Sequence, residues 1–132
     1  MLQIDDLKVA LDADFGLVKA IDGMRLSIQR GETFALVGES GCGKSMTALA
    51  LMRLLPENGR ITDGRLALEG EDVLALPEAR MRDVRGGRIG MIFQEPATSL
   101  NPVMRVGDQI VEAIETHTSL RGPAARAKAI EW

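Results

Sequence analysis

Gly38-Glu-Ser-Gly-Cys-Gly-Lys44-Ser45 fits the pattern G-x-x-x-x-G-K-[S/T]. From the composition of the chain, chance would supply such a match in about 0.4% of sequences this long. The context also fits. Phe34-Ala-Leu-Val37, directly upstream, is a short apolar run of the kind that forms a parallel strand buried on both faces. Downstream, Lys44 to Leu55 is rich in helix formers (Met46, Ala48, Leu49, Ala50, Leu51, Met52, Leu54) and is ended by Pro56 and Asn58-Gly59. A strand, a glycine loop and a helix are therefore predicted, with a phosphate site at the junction. Gly38, Gly41 and Gly43 allow backbone angles and close approaches that a Cβ forbids. Loop and first-turn N–H groups then point at phosphate oxygens, and the helix dipole favours an anion at the same place. Lys44 can bridge the β- and γ-phosphates, and the Ser45 hydroxyl can ligate Mg²⁺. Glu39, Ser40 and Cys42 occupy spacer positions. Cys42, beside a positive site, would be open to alkylation, against the plainer reading of a small spacer.

Working outward, Leu2, Ile4, Leu7 and Val9 lead to an acidic turn, Asp12-Ala-Asp-Phe-Gly16. Val18, Ala20, Met24, Leu26 and Ile28 then alternate loosely, with Asp22-Gly23 as a bulge or turn. Gly64 to Gly70 reads as a hairpin strand, and Pro77 opens a short helix containing Arg80, Met81 and Val84. Arg88-Ile-Gly-Met-Ile-Phe93 reads as a second apolar strand, closed by the breaker-rich Gln94-Glu-Pro-Ala-Thr-Ser-Leu-Asn-Pro102. Val106, Ile110 and Ile114 form one stripe of an amphipathic helix. Gly122-Pro123 starts a last helix that still runs at Trp132, so the sequence is expected to be cut within it.

Composition narrows the classes. At 132 residues the chain is at most one domain. Its net charge of −3 and pI near 5.2 argue against a nucleic-acid partner held by a basic face. Aromatics at 3%, without tyrosine, argue against a base-stacking platform. Apolar residues at 45% and charged residues at 27% suit a soluble globular chain rather than disorder. One cysteine, Cys42, precludes an internal disulfide and fits a reducing compartment, and with the single histidine, His117, it cannot build a zinc site. No apolar run approaches the roughly 18 residues that span a bilayer, and the N-terminus lacks a signal-peptide pattern. The arginines at 80, 82, 85 and 88 are interleaved with Glu78 and Asp83 and read as a solvated face. His117 reads as an exposed helix-end residue.

The phosphate loop specifies a nucleotide but not a machine. Met91-Ile-Phe-Gln94-Glu-Pro-Ala-Thr-Ser-Leu-Asn-Pro102, with Gln94 fifty residues after Lys44, resembles the Q-loop of ATP-binding-cassette (ABC) transporter ATPases. Taken with Gly-Glu-Ser-Gly-Cys-Gly-Lys-Ser, it is most similar to the peptide and nickel importer branch. The resemblance covers essentially the whole chain. It implies an α/β P-loop NTPase fold with an N-terminal antiparallel β-subdomain, and ATP with Mg²⁺ as cofactors. It implies nucleotide contacts at Phe15, Val18, Gly38, Ser40, Gly41, Cys42, Gly43, Lys44, Ser45 and Met46, with Phe15 stacked on adenine and Val18 packed beside it. Gln94 would serve catalysis, reaching Mg²⁺ and the attacking water, and Ser45 would be the other metal ligand. A plain core or turn phenylalanine remains the alternative for Phe15, and an exposed strand-end residue for Gln94.

The same resemblance expects three elements that the sequence lacks: an L-S-G-G-Q-like signature, a strand ending in Asp-Glu (Walker B) and a switch histidine. Val84-Arg-Gly-Gly-Arg-Ile has two glycines but neither the serine nor the glutamine, and Leu66-Ala-Leu-Glu69 comes too early to supply the acid. The chain is thus expected to be the N-terminal half of a nucleotide-binding domain, with residues 1–102 forming the β-subdomain and P-loop core and 103–132 starting a helical subdomain. The intact protein would hydrolyse ATP to power import of peptides, nickel or a related solute. It would sit on the cytoplasmic face of a bacterial inner membrane, with a second nucleotide-binding subunit, two membrane-spanning permease subunits and, indirectly, an extracytoplasmic solute-binding protein. A small-molecule kinase, a GTPase and a non-catalytic nucleotide-binding module are the other readings. No Asn-Lys-x-Asp guanine motif supports the GTPase.

Overall fold

The computed structural model describes residues 1–93 and 100–132. They fall into two compact units, Met1–Asp83 and Val84–Trp132.

The first unit is organised by β1 (Leu2–Ala13), which is paired on both sides. The sheet order is β2 (Gly16–Ile28), β1, β3 (Gly59–Leu68), β4 (Glu71–Asp72), antiparallel throughout. Burial along β1 changes phase: Ile4 is buried, then Leu7 and Val9. Side chains alternate with period two, so an even-to-odd switch requires an inserted residue. The register supplies it, stepping from Ile4↔Leu26 to Leu7↔Met24 with Asp5 and Asp6 opposite Arg25 alone and Asp6 at φ +50°; the following step, to Lys8↔Asp22, skips Gly23 on β2. On the other side the bulge lies against Gly64 (φ +104°), where an added Cβ would stand 2.6 Å from Leu7 Cα and 2.7 Å from the Asp6 carbonyl oxygen. Both obstacles are backbone, so only glycine fits. Ala10, Ile21, Ala50, Met52, Leu66, Ala67, Val73 and Met81 complete the buried apolar set of this unit.

The tip of the β1–β2 hairpin is the two-residue connection Asp14-Phe15. The β1–β3 ladder stops at Leu11↔Gly59. One residue farther, Asp12 N–H donates to the Asn58 carbonyl (2.8 Å) and Asn58 Nδ2 donates to the Asp12 carbonyl (2.9 Å). Arg60 forms an ion pair with the Asp12 carboxylate.

Helix α1 (Lys44–Leu51) ends earlier than the run of helix formers suggests. Leu54 N–H reaches the Leu49 carbonyl (2.8 Å) and Arg53 N–H the Ala50 carbonyl (3.0 Å), with Arg53 at φ +51°. This is the left-handed closure usually given to glycine. Arg53 is held there by its guanidinium, which donates to the Leu76 carbonyl at 2.5 Å. Helix α2 (Glu78–Val84) starts at Pro77, whose carbonyl accepts from Arg80 and Met81 N–H.

In the second unit, α3 (Val106–His117) and α4 (Gly122–Glu131) pack together, burying Ile114 and Ala125. Glu115 accepts from Gly122 N–H at 2.7 Å, fixing the start of α4. Gln109 exchanges two hydrogen bonds with the Asn101 backbone (2.9 and 3.0 Å), which anchors the segment before α3. His117 is exposed at the end of α3, its ring so close to Gly86 that an added Cβ there would lie 2.4 Å from it. None of the described helices is long and apolar enough to cross a membrane.

Two expected strands are not strands. Phe34–Val37 is irregular, with Phe34, Leu36 and Val37 all exposed, and the segment 88–93 forms only an isolated Arg85↔Ile89 bridge. An apolar run records what a segment is suited to bury. A parallel strand needs ladder partners and a layer on each face, and among the described residues neither run has a ladder.

Candidate phosphate-binding site

The loop 38–43 leads directly into α1. Gly43 caps the helix in the left-handed conformation (φ +92°, ψ 2°), no side chain caps it, and no acidic residue lies in its first turn. The first helical bond runs from Thr47 N–H to the Gly43 carbonyl at 2.8 Å. Lys44, Ser45 and Met46 therefore sit in the first turn, ahead of any intrahelical partner for their N–H groups. The positive end of the dipole is not offset by a carboxylate of that turn.

Lys44 turns back over the loop. Its ammonium donates to the carbonyl oxygens of Gly38 (2.7 Å) and Glu39 (2.6 Å) and contacts Cys42 Sγ at 3.3 Å. Cys42 N–H donates to the Glu39 carbonyl at 3.3 Å, tightening the same turn. These contacts draw residues 38–44 into a ring around one positive charge. At Gly38 an added Cβ would stand 2.5 Å from Cys42 Sγ, so the ring is closely filled. Ser40, Gly41, Cys42 and Ser45 are exposed, whereas Gly43, Lys44 and Met46 are half-buried. Chemically, the arrangement offers an ammonium, first-turn amides and a hydroxyl from one surface, a donor set that suits an anion with several oxygens.

The loop is registered against β2. A Cβ on Gly43 would lie 2.8 Å from the Ala20 carbonyl oxygen and 3.3 Å from Ile21 Cγ1. Thr47, the buried polar residue of α1, places its hydroxyl 2.9 Å from the Gly43 carbonyl and 3.3 Å from Met24 Sδ on β2. The sequence placed Ala20 and Met24 on an alternating strand, but it assigned neither them nor Thr47 to the site. A threonine within an apolar helix face was the available signal for Thr47; no one-dimensional pattern marks the approach of Ala20 to Gly43.

Phe15 stands fully exposed at the hairpin tip, and Val18 is exposed two residues into β2 from Gly16. The structure therefore gathers Gly38, Ser40, Gly41, Cys42, Gly43, Lys44, Ser45 and Met46 on one loop and helix start, and carries Val18 on the strand that this loop touches and Phe15 in the turn that precedes that strand. Gln94 lies outside the described residues.

Residues 21–132 match the ABC transporter family. The chain is 45% identical over 132 residues to the oligopeptide transport ATP-binding protein OppD of Bacillus subtilis (strain 168), covering 99% of this chain and 37% of that protein. It is 43% identical over 131 residues to the dipeptide transport ATP-binding protein DppD of the same organism, covering 98% of this chain and 39% of that one. Among solved structures, a dimeric post-hydrolysis state of the ATP-binding cassette MJ0796 bound to ADP and Pi superposes with a TM-score of 0.84 at 20% identity, over 99% of this chain and 55% of that chain. The chain thus spans less than two fifths of the length of these curated relatives, and its fold is that of an ATP-binding cassette.

Proposed function

The chain belongs to the ABC transporter family, and from that premise we propose that it binds ATP through the loop 38–46 as part of the ATP-binding subunit of a peptide importer. The observation that carries the reading is the ring of Gly38 and Glu39 carbonyls holding the Lys44 ammonium at the start of a helix with no capping side chain. There the ammonium meets the β- and γ-phosphates, and the N–H groups of the first turn meet the same oxygens. Gly38, Ser40, Gly41, Cys42 and Gly43 supply backbone around the phosphates, and Met46 borders them. Phe15 stacks on adenine, with Val18 beside it.

Mg²⁺ fits this site because the Ser45 hydroxyl is exposed in the first turn, beside the phosphates that Lys44 holds. Bound there, the ion would neutralise phosphate charge. Gln94 is proposed as its second protein contact and as the catalytic residue that orients water.

In the whole protein, hydrolysis at this site would drive import of peptides, the solute class in the names of both relatives. Residues 1–102 are assigned to the nucleotide core and β-subdomain, and 103–132 to the start of the helical subdomain. The partners are a second nucleotide-binding subunit and two permease subunits at the cytoplasmic face of a bacterial inner membrane, with a solute-binding protein acting indirectly.

Displacement of a fluorescent ATP analogue tests the binding claim. ATP and ADP should compete at least tenfold better than AMP, because the proposed grip is on the outer phosphates. Equal competition by AMP would contradict it.

A further inference from the structure

We infer that Asp12, Asn58 and Arg60 are positioning residues for Phe15, setting the hairpin tip at the height above the phosphate loop that a stacked adenine requires. The inference rests on the ATP-binding reading above.

Beyond Leu11 the hairpin loses its third strand, since the β1–β3 ladder ends at Leu11↔Gly59 while β1 and β2 stay paired out to Ala13↔Gly16. A two-stranded ribbon with an exposed tip is marginal alone and free to twist. Asp12 is where that freedom is removed. Its N–H and carbonyl both bond to Asn58, at 2.8 and 2.9 Å, and its carboxylate pairs with Arg60. The ion pair is exposed and contributes little by itself. Its use is directional, because it fixes the same residue as the two backbone contacts from a third side.

The anchor comes from a telling part of the chain. Asn58 closes the return from α1, the helix that begins with Lys44. The residues after that helix thus come back to hold the strand that leads into the turn bearing Phe15. Five residues beyond Phe15, within β2, Ala20 abuts Gly43. The span from Phe15 to Ala20 is about 17 Å of extended chain; the hairpin beside its tip is held by Asn58 and Arg60, which follow α1, and Ala20 is held by the phosphate loop itself. Phe15 itself is fully exposed, so its position is set by this backbone rather than by packing of its ring.

The test compares two ligands on the full chain by titration calorimetry: ATP, which uses both ends of the site, and inorganic tripolyphosphate, which uses only the loop. The proteins compared are the parent, Phe15→Ala, the double variant Asn58→Ala/Arg60→Ala, the triple combination, and Arg60→Lys. The double variant should weaken ATP binding by about three- to tenfold, within what loss of one stacking contact allows, and leave tripolyphosphate within about twofold. Added to Phe15→Ala, it should change ATP affinity by less than about twofold. Arg60→Lys, which keeps the charge, should retain the parent affinity. If the double variant loses its cooperative melt, Arg60→Ala gives the same comparison at smaller amplitude. Equal losses for the two ligands, or an undiminished loss without Phe15, would overturn the positioning role. An unchanged ATP affinity in Phe15→Ala itself, or no tripolyphosphate binding by the parent, would instead remove the reading on which it rests.

Discussion

Gly43 abuts Ala20: a Cβ built on the glycine would stand 2.8 Å from the alanine carbonyl oxygen. The contact joins the last residue of the phosphate loop to the middle of β2. The backbone on both sides is fixed, in α1 and in the sheet. Gly43 also holds φ +92°, so a side chain there meets steric and conformational opposition together.

Gly43→Ala should therefore displace the loop rather than the sheet. ATP affinity should fall by at least tenfold, with a loss of about 1–3 kcal/mol of stability from strain and overpacking. Calorimetric titration and a denaturant melt read the two effects separately. Full affinity in the variant would mean that the loop is not registered on β2.

Gly64→Ala probes the bulge away from the proposed site. The new Cβ would press on backbone atoms of Leu7 and Asp6, and it should cost about 3 kcal/mol in urea unfolding. A change below about 0.5 kcal/mol would show that the bulge is not held as described.

Acid stability should depend on Asp63. Lys8 lies 3.0 Å from the Asp63 carboxylate and 3.2 Å from that of Asp6. The hydrogen bond from Lys8, then the one from Gly64 N–H, hold the Asp63 carboxyl below its usual range of about 3.8. A lowered folded-state pKa contributes stability above the unfolded value, and that contribution is lost as pH falls through the folded one. Asp63→Asn should flatten the acid side of the melting-temperature profile below about pH 4 and leave its shape near neutrality unchanged. The hydrogen bonds that Lys8 donates to Asp63 and then to Asp6 raise its pKa above 10.5, so its contribution is present below that value and fades above it. Both groups are exposed, so salt should weaken the effect. An identical acid limb in Asp63→Asn would dismiss the pair as a stabilising contact.

Exposed apolar side chains at Phe34, Leu36 and Val37 form a run open to other apolar surfaces. The chain should self-associate at high concentration, and Val37→Lys should reduce this with a melting temperature within about 2 °C of the parent. Sedimentation velocity distinguishes the two proteins. Equal association by both would place the sticky surface elsewhere.

What the sequence disclosed depended on whether the partners of each segment were local. The glycine pattern at 38–43 and the helix after it depend on backbone freedom and short-range bonding, and both were readable. The turn at Asp14-Phe15 and the bulge at Gly23 carried glycine signals or a break in alternation. The strand readings at Phe34–Val37 and Arg88–Phe93 were not met, because strand formation depends on neighbours that a local pattern does not contain. Met24 beside Thr47, and Asn58 beside Asp12, join residues 23 and 46 positions apart. Both pairings follow only from the fold.

The central claim is that the ammonium of Lys44, set by the carbonyls of Gly38 and Glu39, grips the phosphates of ATP. Titration calorimetry of Mg-ATP into the parent chain and into Lys44→Ala, with matched melting curves, tests it most directly. Loss of a charge-assisted donor is worth about 2 kcal/mol or more, so affinity should fall at least tenfold while the fold persists. Equal affinity in two equally folded proteins would contradict the account.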